Sequence, residues 1–358
     1  MRKTLSAFAI AVLMLVSVAA GAAENLLNFV PEKANVMIYL KFNEIVSHPA
    51  LKDARDKNME LSSRYNEIES KLSKFNIKME ELAGDMVVFS EGDDDAGAVL
   101  KTGITEQKLK EMIASGVFSE KNDGKIEEAT MAGRKVFILS SPVKNEDMLG
   151  ARYQLDNQAV ITYLNKNTLL ITEKNCFEKI SGEIAKSNVL ANKKLVDFKK
   201  NVNPDATMWA VFSIPEKAKK QSEAQAPQQM PVMANPAESI RGGSVSVTLS
   251  GKDKSDIALE ASLECDDEQS ASMMAMQAQG LIMLGSGTMF QNNPQLGIKV
   301  GNAVKVSSNG KSLNTKMNFP KSLIDEIKKN AEAMKAQPAG PRLGAAPATS
   351  KANTKKAN

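Results

Sequence analysis

Few residues in this chain can do chemistry. Its one histidine is His48 and its two cysteines are Cys176 and Cys265. A nucleophile activated by a histidine base must therefore draw on His48. That residue stands in Ser47-His48-Pro49, a pattern that opens helices, because serine caps free amides and proline suits the first turn. Zinc sites need three or four ligands, which one histidine and two cysteines cannot supply without carboxylates. In an oxidising compartment Cys176 and Cys265 can form a disulfide tying the two halves together; otherwise they pack as small buried thiols.

The nucleotide motifs fail on detail. Gly251-Lys252 is followed by Asp253, and position 246, where a P-loop needs glycine, is Ser246. Gly285-Ser286-Gly287 lacks a third glycine and follows a helix rather than a strand. Asp93-Asp94-Asp95 gathers oxygens, but adjacent carboxylates on a turn cannot converge on one ion, so they read as a solvated hairpin tip. Paired catalytic carboxylates depend on the fold, and 42 acidic residues offer no motif to choose between them. The expectation is no catalytic residue, no cofactor and no metal.

Sulfur is concentrated elsewhere. Met273, Met274, Met276 and Met283 lie among Ala275, Ala278, Leu281, Ile282 and Leu284, on a helix expected over 268–284. Thioethers fill irregular cores, and they also make adaptable surfaces for a lipid, a peptide or a protein. Soft-metal capture is the weaker reading, with no histidine or cysteine beside Met274 and Met276. Met273, Met276, Met283 and Leu284 are therefore candidates for an apolar-ligand or partner surface. A second candidate is the seam Leu61, Tyr65, Ile68, Leu72 and Phe75, on a helix expected over 49–75. Such a seam packs on its own sheet or zips to the same helix of a second copy.

These residues need elements to hold them. The run NVMIYLKF over 35–42 reads as a buried strand. Strands around turns are expected over 85–90 with 97–102, 125–130 with 134–140, and 158–164 with 168–172. Thr105 caps an amphipathic helix over 106–114, and helices over 177–186 and 193–200 follow. After residue 203 the series restarts, with strands over 207–214, 244–250 and 256–264. Near the end, Asn302-Ala303-Val304 and Leu313 parallel Gln158-Ala159-Val160 and Leu169. Internal duplication is expected, with a flexible Gln/Ala/Pro-rich excursion over 219–243.

The first residues set an address. Met1-Arg2-Lys3, an apolar stretch from Leu5 to Val18 and Ala20-Gly21-Ala22 form a secretory signal peptide over 1–22. No cysteine follows to carry a lipid. The formal charge of +4 is spread among nearly equal numbers of acids and bases, so no basic face for nucleic acid is evident. One tryptophan, Trp209, argues against a sugar platform. The stretch 335–358, rich in Ala, Pro and Lys, should be disordered.

Three short motifs carry a resemblance: Pro31-Glu32-Lys33-Ala34 before the first strand, Ser47-His48-Pro49, and Gly133-Arg134-Lys135-Val136-Phe137. On these the chain resembles uncharacterised exported bacterial proteins built from a duplicated α+β unit. The resemblance implies a fold and an address and carries no activity. The expectation is α+β, with two tandem, duplicated units over 24–203 and 204–334. Each is a mainly antiparallel sheet with helices packed on one face. The expected function is non-enzymatic: an envelope protein, periplasmic or extracellular, that binds a protein or surface partner. The alternatives are a carrier of lipid or another apolar ligand beside the Met-rich helix, and a hydrolase using carboxylates alone. No integral membrane insertion of the mature chain is expected, and a homodimer is compatible with the seam.

Overall fold

Alternating apolar side chains build twelve strands: β1 (Val36–Lys41), β2 (Asp85–Glu91), β3 (Asp95–Lys101), β4 (Lys125–Met131), β5 (Arg134–Ser140), β6 (Gln158–Asn165), β7 (Thr168–Glu173), β8 (Met208–Ser213), β9 (Ile240–Ser250), β10 (Asp256–Cys265), β11 (Val304–Asn309) and β12 (Ser312–Phe319). The computed structural model describes residues 24–77, 84–92, 95–115, 125–140, 158–215, 239–251 and 255–336. The expected signal peptide over 1–22, Asp93, Asp94, most of the expected excursion over 219–243 and nearly all of the expected tail over 335–358 lie outside them.

All twelve strands form one antiparallel sheet, in the order β11-β12-β10-β9-β8-β1-β2-β3-β7-β6-β5-β4. The protein is thus α+β, and the sheets of the two halves are continuous. The joint is the pairing of β1 with β8, Val36 opposite Phe212 through Leu40 opposite Met208. Outward from it the order runs β1-β2-β3-β7-β6 one way and β8-β9-β10-β12-β11 the other. The first half adds the β4–β5 hairpin at its rim, turned by Ala132 and Gly133, both at positive φ.

Ten α-helices complete the described chain: α1 (Glu24–Leu27), α2 (Phe42–Val46), α3 (Pro49–Lys57), α4 (Met59–Ser73), α5 (Glu106–Ala114), α6 (Lys174–Ile184), α7 (Lys193–Lys199), α8 (Glu268–Met289), α9 (Pro294–Asn302) and α10 (Lys321–Ala336). Strand alternation sorts the first half into two cores. Met37, Tyr39, Val87, Phe89, Val99 and Leu170 face α1, α6 and α7, with Leu26, Leu27, Phe177, Ile180, Leu195 and Phe198. Met86, Ala98, Leu100, Ile161, Leu169 and Ile171 face Leu72 of α4 and Leu109 and Met112 of α5. Each such fully buried side chain contributes about 1.5–3 kcal/mol. In this half, then, helices cover both faces rather than one. In the second half α8 lies along one face, setting Ala275 against Val306 and Leu313.

Several boundaries differ from expectation. The helix expected over 49–75 is two, α3 and α4, separated at Asn58. Ser47 closes α2, its hydroxyl donating to the Asn43 carbonyl at 2.6 Å. The carbonyl of His48 instead receives the first amide of α3, from Lys52 at 3.1 Å. Strand β9 starts at Ile240, inside the expected excursion. Helix α8 runs five residues past 284, and α9 was not foreseen. Thr105 does cap α5, accepting from the Lys108 amide at 3.3 Å.

Candidate interaction surface

In the middle of the sheet one face is well covered. Tyr39 and Trp209 stack there with ring centroids 5.3 Å apart, beneath Leu195 and Phe198 of α7. The opposite face of the same strands carries Val36 and Ile38 (β1), Ala210 and Phe212 (β8), Val245 and Val247 (β9), and Leu259 and Ala261 (β10). The pairings place these residues side by side: Ile38 beside Ala210, Ala210 beside Val245, Val245 beside Ala261. All are half-buried, and none belongs to a buried cluster among the described residues. Met208, at the end of the same row, is 37% exposed.

An antiparallel sheet face that meets water is ordinarily polar. The other face of β10 and β12 follows that rule, with Glu260 paired to Lys316 at 3.0 Å and Asn314 beside Ser262. The apolar row breaks it. It forms a trough four strands wide, β1-β8-β9-β10, about 14 Å between the outer strands. One wall is the end of α4, where Leu72 and Phe75 pack with Leu40 and Val88. The other is α8.

The structure distributes the residues nominated from sequence as follows. Met276 and Met283 of α8 are 62% and 77% exposed, Leu284 is 70% exposed and Met273 36%. They point away from the sheet, so they do not line a pocket with it. The inner face of α8 uses Ala271, Met274, Ala275, Ala278 and Ile282 instead. Two hollows of about 340 and 240 Å³ lie between α5 and strands β4–β6, and no residue of α8 lines either. Along the seam, Leu72 is buried and Phe75, beyond the end of α4, packs in the same core; Tyr65 carries the Arg55 guanidinium 3.9 Å above its ring. The side chains of Leu61 and Ile68 lie outside the description.

Cys176 and Cys265 are buried free thiols, so the disulfide open from sequence is not formed. Cys265 lies 3.8 Å from the sulfur of Met274. Burial, with a hydrogen bond to Asp95, pushes the Cys176 thiol up to about 12, which leaves no thiolate for nucleophilic work.

Sequence reasoning missed a polar cluster beside Cys176. Lys33 lies 2.6 Å from Glu183 on α6, and Lys179 lies 2.5 Å from Asp95 and 3.4 Å from Glu91. Glu91 and Glu183 face each other within hydrogen-bonding reach. Burial first, then the neighbouring Glu183, raises the Glu91 carboxyl above its ordinary value. Burial opposes the Glu183 charge too, but Lys33 and the proton of Glu91 hold that carboxyl below its usual range. The two facing carboxyls are thus pushed in opposite directions, Glu91 up and Glu183 down. The pair braces α6 against the β2–β3 turn and the segment before β1.

No family model and no curated protein matches the chain. Among solved structures it is similar to that of TP0453 (crystal form I), with 8% identity and a TM-score of 0.40 over 85% of this chain and 97% of that one. At that distance the likeness says nothing of ligand or partner. No described helix is long and apolar enough to cross a membrane.

Proposed function

We propose that this is an exported, non-enzymatic envelope protein that binds a protein partner by accepting an amphipathic helix in the trough of β1, β8, β9 and β10. The observation that carries the reading is a row of half-buried apolar side chains on a sheet face, none of which joins a buried cluster among the described residues. Apolar surface left in water marks a place of contact. At about 14 Å the trough suits one helix, which is roughly 10–12 Å across with its side chains, and helix-in-groove binding uses such surfaces. Export rests on the signal-peptide pattern of residues 1–22. The identical outward order of strands on the two sides of the β1–β8 joint supports a duplicated unit.

Catalysis finds little support. His48 opens α3, Cys176 is held as a thiol, and the facing carboxylates Glu91 and Glu183 are engaged by lysines. The test is a photo-crosslinking residue placed at Val245, in the trough, and at Lys316, on the opposite face, in living cells. The Val245 position is expected to capture a protein that the Lys316 position does not. Lipid adducts alone at Val245 would instead establish the carrier reading, and no difference between the two positions would remove the trough as a site.

A further inference from the structure

A different surface, the outer face of α8, is equally out of place in water. Met276, Met283 and Leu284 are 62%, 77% and 70% exposed, and Leu281 is 70% exposed. No charged residue occurs between Glu268 and Lys299. A helix on a protein surface ordinarily turns charged residues to solvent; the outer side of α8 instead carries large apolar side chains among uncharged Gln269, Ser272 and Gln277.

We propose that the occupant of this outer side is a second copy of this chain, the two α8 helices packing antiparallel about a two-fold axis. Charge decides between occupants. A helix that lies on a lipid surface surrounds its apolar face with Lys and Arg to meet anionic headgroups. Here Asp266, Asp267 and Glu268 stand at the start of α8, and Lys299 nearby is paired with Glu326 at 2.7 Å. A charged partner protein would need a charge to read, and the face has none. A two-fold interface is different. Residues at its axis meet their own copies, so an uncharged, self-complementary face is what it requires.

Geometry fits as well. The 22 residues of α8 make a rod about 33 Å long. A standard interface takes ~800 Å² from each partner, and Met276, Leu281, Met283, Leu284 and Met289, each 62–77% exposed, are the side chains that contribute to it. Gly280 and Gly287 lie on the same outer arc, and a Cβ at either would meet nothing within 4 Å among the described residues. There they only weaken the helix; between two copies they let the axes approach. Antiparallel packing also separates the two acidic starts and opposes the helix dipoles favourably.

Sedimentation of the purified protein over a range of concentrations is the test. The wild type is expected to dimerise. Met283→Glu should weaken association at least about tenfold with an unchanged far-UV spectrum. Gly280→Ala keeps the proposal open to refutation if Met283→Glu folds poorly. It should raise the melting temperature of the dilute monomer yet weaken the dimer. A protein that stays monomeric up to about 100 μM, or a dimer indifferent to both substitutions, would overturn the proposal. So would a monomer that floats with uncharged lipid vesicles through Met283. None of these outcomes bears on crosslinking at Val245, so the dimer and the trough stand or fall separately.

Discussion

Glu91 shows how one side chain can make stability depend on pH. Its carboxyl is raised by burial and by Glu183, so the folded protein holds that proton more tightly than the unfolded chain does. The linkage sign follows: the stabilisation is full below the ordinary carboxylate range and is lost as pH rises through the raised value. Glu183, held low, works the other way, its contribution lost as pH falls through its own lowered value. Glutamine at position 91 keeps a donor and never ionises. Glu91→Gln should therefore melt up to about 2 °C higher than wild type at pH 8. Near pH 4 the two should be indistinguishable. Thermal melts at both values check it, and a variant less stable at pH 8 would rule out a raised Glu91 carboxyl. None of this cluster was legible in sequence, because Lys33, Glu91, Lys179 and Glu183 meet only through packing of α6 on the sheet.

At the scale of elements, local chemistry wrote most of what the fold uses. Turns with positive φ, at Gly92, Ala132-Gly133 and Gly310, and the Thr105 cap mark their hairpins and helix directly. Gly97 is subtler. It sits opposite Phe89 across the β2–β3 pair, and the Phe89 ring lies where a Cβ of residue 97 would be. Phe89 is 2% exposed and has nowhere to swing. Gly97→Ala should cost about 1–3 kcal/mol, read as a lower urea midpoint with an unchanged slope; a neutral result would mean the ring is free to move. Helix α8 resisted reading for a physical reason: apolar residues on every side leave no periodicity to tell inner from outer face. The methionines were visible as a cluster, and their direction was not. The break at Asn58 was likewise hidden, since the repeat Leu61, Tyr65, Ile68, Leu72 runs through a helix that starts only at Met59.

Across the whole molecule the two halves of the sheet meet at one strand pair, over which α7 packs Leu195 and Phe198. Only β1 and β8 connect the two halves of the sheet, and the Tyr39–Trp209 stack sits on that pair. Trp209 is the single tryptophan, so its fluorescence reports the joint while far-UV circular dichroism reports the whole. A cooperative unit predicts coincident urea transitions by the two probes; an earlier loss of fluorescence would show the halves parting before they melt. The trough was illegible for the same reason the joint was. Alternation identified each strand, but no local pattern says that β1 lies beside β8. The joint also sets a schedule for the chain as it is made. Val36 pairs with Phe212, so β1 waits through the synthesis of the entire first half with one edge unpaired. An open, β-branched edge is the segment most apt to pair with a wrong neighbour, and long-range pairings of this kind form late. Residues 36–41 are therefore where a nascent chain most needs shelter until β8 arrives.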